Sequence, residues 1–378
     1  MEKRSKYVKS LKRLVVKIGS SSLTAESGLL DMENMKKFCS EIKQALDKGL
    51  QVMVVTSGAI AAGLQHLGIK GRPEDIAILQ AAAAVGQVEL MRIYSNFFAQ
   101  KGIKVGQILL TQENTTGREQ YLNIRNTINT LLDMGIVPVI NENDSVAVDE
   151  IKFGDNDVLA ALVASLTDSD LLVILTDTEG LYEKDPRKDS AARVIKAVDE
   201  ITEDIEGIAG GAGSLYGLGG MASKIKAARV CSFSGTGMII ANSRRKDVLG
   251  KILDGQEVGT FFLPHKERKV KSIKRWIAFG MRTKGSVTID DGAKEAIIKK
   301  GRSLLPVGVV EIRGKFNKGD TLKVYSLDGG LLAKGISNFS DKELKRIKGK
   351  NKQQISHDMG PSFCSEIIHR DCMVVFKS

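Results

Sequence analysis

Residues 135–157 read GIVPVINENDSVAVDEIKFGDND. The apolar run Ile136 to Ile140 leads straight into a stretch, Asn141 to Asp157, where six carboxylates and three asparagines fall within seventeen residues. An apolar strand that ends in a polar, acidic loop is how open α/β sheets place ligands beyond the carboxyl ends of their strands. Charged runs are most often solvated surface. Here the mixture of Asn with Asp, and Gly154 near the end, suits shaped turns and ligand contact instead. The stretch is predicted to bind a small cationic or metal-bound ligand.

Other runs follow the same plan. Arg13–Ile18 ends in Gly19-Ser20-Ser21-Ser22, with Lys17 near the end of the strand, and Gln51–Val55 ends in Thr56-Ser57-Gly58-Ala59. Lys104–Leu110 ends in Thr111-Gln112, and Leu171–Leu175 in Thr176-Asp177. Between them lie helical patterns: one capped by Asp31 and closed by Gly49, a long Ala-rich one from Pro73 to about Gln100, a polar segment at 113–129 that turns from loop to helix, and one from about Asp155 to Leu166. Met238–Ala241 is predicted as the last strand of this half. Strands alternating with helices predict an α/β fold: a three-layer, open, mainly parallel sheet with helices on both faces. Five strand ends, at Gly19, Ser57, Thr111, Asn141 and Thr176, then share one edge, the expected active-site edge.

With 378 residues the chain suits two domains. Its net charge of +11 is uneven: residues 265–378 hold 25 Lys or Arg against 12 Asp or Glu, and residues 1–264 hold 31 against 33. The predicted division is a catalytic domain at 1–264, a basic linker at 265–275 and a small β-rich domain at 276–378, with one helix from about Asp291 to Lys299. The basic half suits an anionic partner such as RNA, or mere solubility. No apolar run approaches the length of a membrane span, and Lys17 interrupts the N-terminal apolar stretch, so neither a span nor a secretory leader is predicted. Cys39, Cys231, Cys364 and Cys372 form no C-x-x-C pair, which fits a reducing cytoplasm. Cys364, His369 and Cys372 match no common zinc spacing.

The nucleotide motifs G-x-G-x-x-G after the first strand and G-x-x-x-x-G-K-[ST] are absent. His369-Arg370-Asp371 has no D-F-G to support a protein-kinase reading. What stands out is the glycine run IAGGAGSLYGLGG at 208–220, with Lys224 on the first turn of the following helix. Glycines let backbone N–H groups approach phosphate, and a lysine at a helix start adds positive charge. Paired with Lys17 beside its own Gly-Ser loop, it points to two ammonium groups aimed at one polyanion. An Asp would hold Mg²⁺ or orient a lysine. That is phosphoryl transfer by positioning and electrostatics.

At this level of detail the chain resembles a known family. Lys17-Ile-Gly-Ser-Ser, Val55-Thr-Ser-Gly-Ala-Ile60-Ala-Ala-Gly63, Ile140-Asn-Glu-Asn-Asp144, Lys152-Phe-Gly-Asp-Asn-Asp157, Leu175-Thr-Asp-Thr-Glu-Gly-Leu-Tyr182 and Gly219-Gly-Met-Ala-Ser-Lys224 resemble the glutamate 5-kinases of the amino-acid kinase superfamily. Gly285-Ser-Val-Thr-Ile-Asp-Asp-Gly-Ala293 and Ser303-Leu-Leu-Pro306 resemble the PUA domain appended to many of them. The resemblance implies ATP-dependent phosphorylation of the γ-carboxylate of L-glutamate, the opening step of proline biosynthesis, with Mg²⁺. It implies Lys17 and Lys224 as stabilisers of the moving phosphoryl and Asp157 as their organiser. Ser57, Asp144 and Asn156 would hold glutamate, with Asp144 meeting its ammonium. Lys17, Thr176 and Asp177, with Leu218, Gly219, Gly220, Met221, Ala222, Ser223 and Lys224, would hold ATP. Leu218 and Ala222 stand where the family usually carries hydroxyls. The resemblance further implies a homo-oligomer, a dimer or tetramer, and transfer of the product to a glutamyl-phosphate reductase. Two rivals stand beside this reading: a kinase of the same fold acting on acetylglutamate, aspartate, carbamate or a nucleotide, and an RNA-binding protein working through its basic C-terminal domain.

Overall fold

The computed structural model describes residues 2–25, 28–111, 118–146, 156–189, 191–209, 220–264, 274, 277, 283–350, 354 and 366–376. The chain divides into two compact units, the first built from Met1–Asn114 and Tyr121–Lys269, the second mainly from Val270–Ser378.

The first unit runs α1 (Glu2–Val8), β1 (Arg13–Ile18), α2 (Ser20–Leu23), α3 (Met32–Asp47), β2 (Gln51–Val55), α4 (Ala59–His66), α5 (Ile76–Ala99), β3 (Lys104–Leu110), α6 (Arg118–Asp133), β4 (Ile136–Glu142), α7 (Asn156–Leu166), β5 (Leu171–Thr176), β6 (Ala197–Val198), α8 (Glu203–Ala209), α9 (Met221–Ser234), β7 (Gly237–Asn242), α10 (Val248–Leu253) and β8 (Thr260–Phe262). Its eight strands are ordered β3-β4-β2-β1-β5-β7-β8-β6. Neighbours from β3 to β7 pair in parallel, and β8 runs antiparallel to β7.

Strand alternation sorts the core into two layers. Leu14, Val16 and Ile18 of β1 join Val52, Val54, Val173 and the buried faces of α3, α5 and α10 in one apolar cluster. Val15 and Lys17 therefore point to the opposite face, where α7 and α9 lie. The winding decides where the site falls. From β1 the chain adds β2, and later β4 and β3, on one side, then returns to add β5 on the other. The order reverses between β1 and β5, the kind of place where open α/β sheets leave a crevice. Parallel registers such as Lys17 opposite Val55 and Ile18 opposite Leu175 bring the strand ends to one edge.

The caps follow the sequence closely in α3, where the Asp31 side chain accepts from the Asn34 N–H at 3.0 Å and Gly49 takes φ +81° just beyond the end. Elsewhere the fold corrects the expectations. The long helix starts at Ile76, not at Pro73, because Asp75 caps it by accepting from the Ala77 N–H at 2.8 Å. Met238–Ala241 is not the last strand: β8 and the two-residue β6 extend the sheet, both too short to leave a periodic pattern. By length and mean composition α5 passes as a candidate membrane span, although Gln80, Gln87, Glu89 and Arg92 interrupt its apolar run. In this fold Leu79, Ala83, Leu90 and Phe98 of α5 are buried inside the protein.

The second unit runs β9 (Thr283–Ile289), α11 (Asp291–Ile298), β10 (Val309–Gly314), β11 (Thr321–Tyr325), β12 (Leu331–Ile336), α12 (Asp341–Ile347) and β13 (Met373–Val375). Its strands form a five-stranded sheet in the order β10-β9-β11-β12-β13, antiparallel except for the β9–β11 pair. It has its own core, with Val287, Leu322, Val324 and Ile368 buried. α12, whose sequence signal is a Ser340–Glu343 capping box, and β13 were not among the expected elements.

Candidate active site

Lys17 sits in the central strand, 7% exposed, and Lys224 on the first turn of α9, 5% exposed. Two buried ammonium groups are tolerable only when paired. Asp157, fully buried on the first turn of α7, supplies the partner for both: Lys17 Nζ lies 2.5 Å from its Oδ1 and Lys224 Nζ 3.0 Å from its Oδ2. The Ser223 hydroxyl donates to Oδ2 at 2.9 Å. Burial pushes the Asp157 carboxyl upward, but the two ammonium groups outweigh it and hold it below the ordinary carboxylate range. Two ammoniums against one carboxylate leave the cluster with one surplus positive charge, suited to an arriving anion.

On the other side of the same helix start lies a cavity of about 730 Å³. Ser57, Glu142, Asp144, Asn156, Lys70 and Arg72 are among its walls. Asn156 immediately precedes Asp157, so consecutive residues of α7 serve the cavity and the lysines. The Asn156 side-chain amide donates to the Thr56 carbonyl at 2.8 Å, and Ser57 Oγ lies 2.9 Å from the same nitrogen. α4 opens at the cavity with Gly58 as its N-cap, at φ +96° and with no side-chain cap bond. Gly58, Ala59 and Ile60 line the wall there, so first-turn N–H groups are available to a carboxylate.

Thr176 ends β5 on the same edge and donates its hydroxyl to Asp177 Oδ1 at 3.0 Å. Gly220 caps α9 without a side-chain bond, and half-buried Met221 and Ala222 follow it. Leu218 and Gly219, the rest of the glycine run at 210–219, and residues 147–155 of the acidic stretch lie outside the described residues. The structure brings Lys17, Asp157 and Lys224 into contact, and gathers Ser57, Asp144 and Asn156 round one cavity. Glu142, which sequence reading left unassigned, stands on its wall with Lys70 and Arg72. None of these three carries a local signal, because each reaches the cavity through the packing of separate segments. Cys372 is free and Cys364 lies outside the described residues. Among the described residues no group of three or more His, Cys, Asp or Glu is placed to hold a metal ion.

In the second unit a separate cavity of about 600 Å³ is lined by Asp290, Arg302, Leu305, Val307, His369 and Arg370, among others.

Comparison with known proteins places these features. The profile of the Amino acid kinase family matches residues 12–242, and that of the PUA domain matches residues 285–359. A protein named glutamate 5-kinase from Syntrophotalea carbinolica is 46% identical over 99% of this chain and 100% of its own length. One of the same name from Syntrophus aciditrophicus is 47% identical over 100% of this chain and 97% of its own. One from Geobacter sulfurreducens is 45% identical over 98% and 100%.

Proposed function

The chain belongs to the glutamate 5-kinase branch of the amino acid kinase family, and from that membership we infer that it transfers the γ-phosphoryl group of ATP to the side-chain carboxylate of L-glutamate, opening proline biosynthesis. The observation that carries this reading at the level of the site is the division of labour across Asn156 and Asp157, with a polar cavity on one side and a lysine pair on the other.

The chemistry needs little else. A glutamate γ-carboxylate has a reference pKa of about 4.3, so the nucleophile is ionised at neutral pH and requires no general base. The obstacle is repulsion between that carboxylate and the polyphosphate. Lys17 and Lys224 would meet the transferring group from two elements, with Asp157 fixing the distance between them. Thr176, Asp177 and residues 218–224 would hold the nucleotide. Ser57 and Asn156 would hold glutamate, and Asp144 would accept from its ammonium. Mg²⁺ would enter with ATP. This ion is usually held through one or two carboxylates together with substrate phosphates and water. When bound it neutralises charge on the phosphate oxygens.

A hydroxylamine trap for acyl phosphate, run over glutamate, N-acetylglutamate, aspartate, carbamate and UMP, tests the substrate directly. Turnover confined to a substrate other than glutamate would end the reading. Asp144→Asn is expected to raise the KM for glutamate by about tenfold or more, with the KM for ATP within twofold, since it removes one charge-assisted contact. Equal effects on both would place Asp144 elsewhere.

The same proposal takes residues 1–264 as the catalytic domain, 265–275 as a linker and 276–378 as the appended domain, in a cytoplasmic homo-oligomer. A glutamyl-phosphate reductase would receive the labile product. For the C-terminal part the net charge of +13 over residues 265–378 and the arginine-flanked cavity support RNA as a ligand. Arg302→Glu with Arg370→Glu is expected to weaken binding of a folded RNA at least tenfold in a filter assay. Unchanged binding would assign the charge to solubility.

A further inference from the structure

Three buried amides form a line behind the cavity wall. Asn156, Asn141 and Gln87 are 6%, 1% and 8% exposed and come from α7, β4 and α5. Asn156 Nδ2 donates to Asn141 Oδ1 at 3.0 Å, and Asn141 Nδ2 donates to Gln87 Oε1 at 2.9 Å. Amide groups can in general be turned end for end, but this line cannot. The Thr56 main-chain carbonyl can only accept, so the Asn156 group facing it at 2.8 Å must be the NH₂. That requires Asn141 to offer its oxygen to Asn156 and its NH₂ to Gln87, and Gln87 to accept through Oε1. The two ends are left over: Gln87 Nε2 and Asn156 Oδ1 are buried without a protein partner. Buried polar atoms without partners are uncommon, and each asks for an explanation. At the Asn156 end the residue is on the cavity wall, so its acceptor is held in reserve for a donor that comes with the ligand.

We propose that Gln87 is a positioning residue for the amino-acid substrate: through Asn141 it locks the Asn156 amide with its oxygen unspent, and that oxygen accepts from the ammonium of glutamate beside Asp144. Without the Gln87 acceptor, Asn141 Nδ2 has no partner. Asn141 can then turn together with Asn156, which satisfies Asn141 Nδ2 with Asn156 Oδ1, spends that oxygen, and takes the Asn156 NH₂ off Thr56 and Ser57. The proposal rests on the reading of Asn156 as a glutamate contact.

The polarity of the line makes the test chemical rather than volumetric. Gln87→Met keeps the length of the side chain and removes the acceptor. Gln87→Glu keeps an acceptor facing Asn141 and places a carboxyl group at a buried position. Steady-state kinetics on the full chain, with Asn156→Ala as reference, separate the possibilities. Gln87→Met is expected to raise the KM for glutamate about tenfold, the worth of one buried hydrogen bond, with kcat and the KM for ATP within twofold. Gln87→Glu is expected to restore most of the loss. Gln87→Met added to Asn156→Ala is expected to cost nothing further, because the atom it orients is gone. An unchanged glutamate KM in Gln87→Met, where Asn156→Ala raises it, overturns the relay. So does a loss shared by Met and Glu, or one that moves kcat and both KM values together, which would mark a packing role. If Asn156→Ala itself leaves the glutamate KM unchanged, the substrate reading of Asn156 falls and the relay falls with it.

Discussion

Asp157→Asn is expected to lower kcat by about 10³-fold or more and to cost the first unit about 3–5 kcal/mol of stability, whereas Lys17→Met or Lys224→Met is expected to lower kcat comparably with little loss of stability. The asymmetry follows from counting charges. Removal of either lysine leaves a buried carboxylate with one ammonium, a balanced pair. Removal of the carboxylate leaves two ammonium groups confined together at 7% and 5% exposure without the group that both of them face. Urea denaturation alongside trapped-product kinetics reads both quantities, and an Asp157→Asn protein as stable as the parent would show that the lysines do not depend on it. The pH dependence has the same origin. Because the folded carboxyl is held below its unfolded value, near 3.9 for a free Asp, its stabilising contribution is complete above that value. It is lost as pH falls through the lower folded one.

Gly86→Val is expected to destabilise the first unit by about 3 kcal/mol and to raise the KM for glutamate in whatever folds. A Cβ at Gly86 would stand 1.8 Å from the Ala59 carbonyl oxygen and 2.3 Å from the Gly63 nitrogen, and one at Gly63 would stand 1.8 Å from the Ala82 carbonyl oxygen. These are rigid backbone atoms, so α4 and α5 could only separate. α4 carries Ala59 and Ile60 on the cavity wall, and the separation would be felt by the substrate. Ala84→Val, on the exposed side of the same helix, is the control. It is expected to cost about 0.5 kcal/mol, the penalty of a β-branched residue in a helix, and to leave KM unchanged. Equal losses in the two variants would mean that the glycine contact is not what sets the helix spacing.

How much of this was legible depended on how local each signal was. Lys17 and Lys224 could be picked out because each sits at a strand or helix end beside small polar residues, and those positions converge once the sheet is parallel; Asp157 came only through the resemblance of its motif to a known family. The β-rich character of the tail was legible from its short runs between turns, two of which are the strands Thr321–Tyr325 and Leu331–Ile336. Gln87 was not: a glutamine in an Ala-rich helix looks the same whether it faces water or a buried asparagine 54 positions away. Glu142 was left unassigned because nothing local separates a wall residue from an exposed one. β6 and β8 escaped because two or three residues cannot show a period. Gly63 and Gly86 were visible as glycines in helices, but the reason for them, one backbone lying on another, is a property of the pair.

Asn156 and Asp157 are joined by a single peptide bond, and Cα atoms so joined are about 3.8 Å apart. If the proposed roles hold, covalent geometry sets the backbone spacing between the acceptor half and the donor half of the reaction. A lineage exploring new acceptors has no freedom at this joint. Its freedom lies in walls contributed by other segments, such as the start of α4 and the 68–72 loop, which can be recut without disturbing how phosphate is met. On those roles, the protein's chemistry would be harder to vary than its choice of substrate.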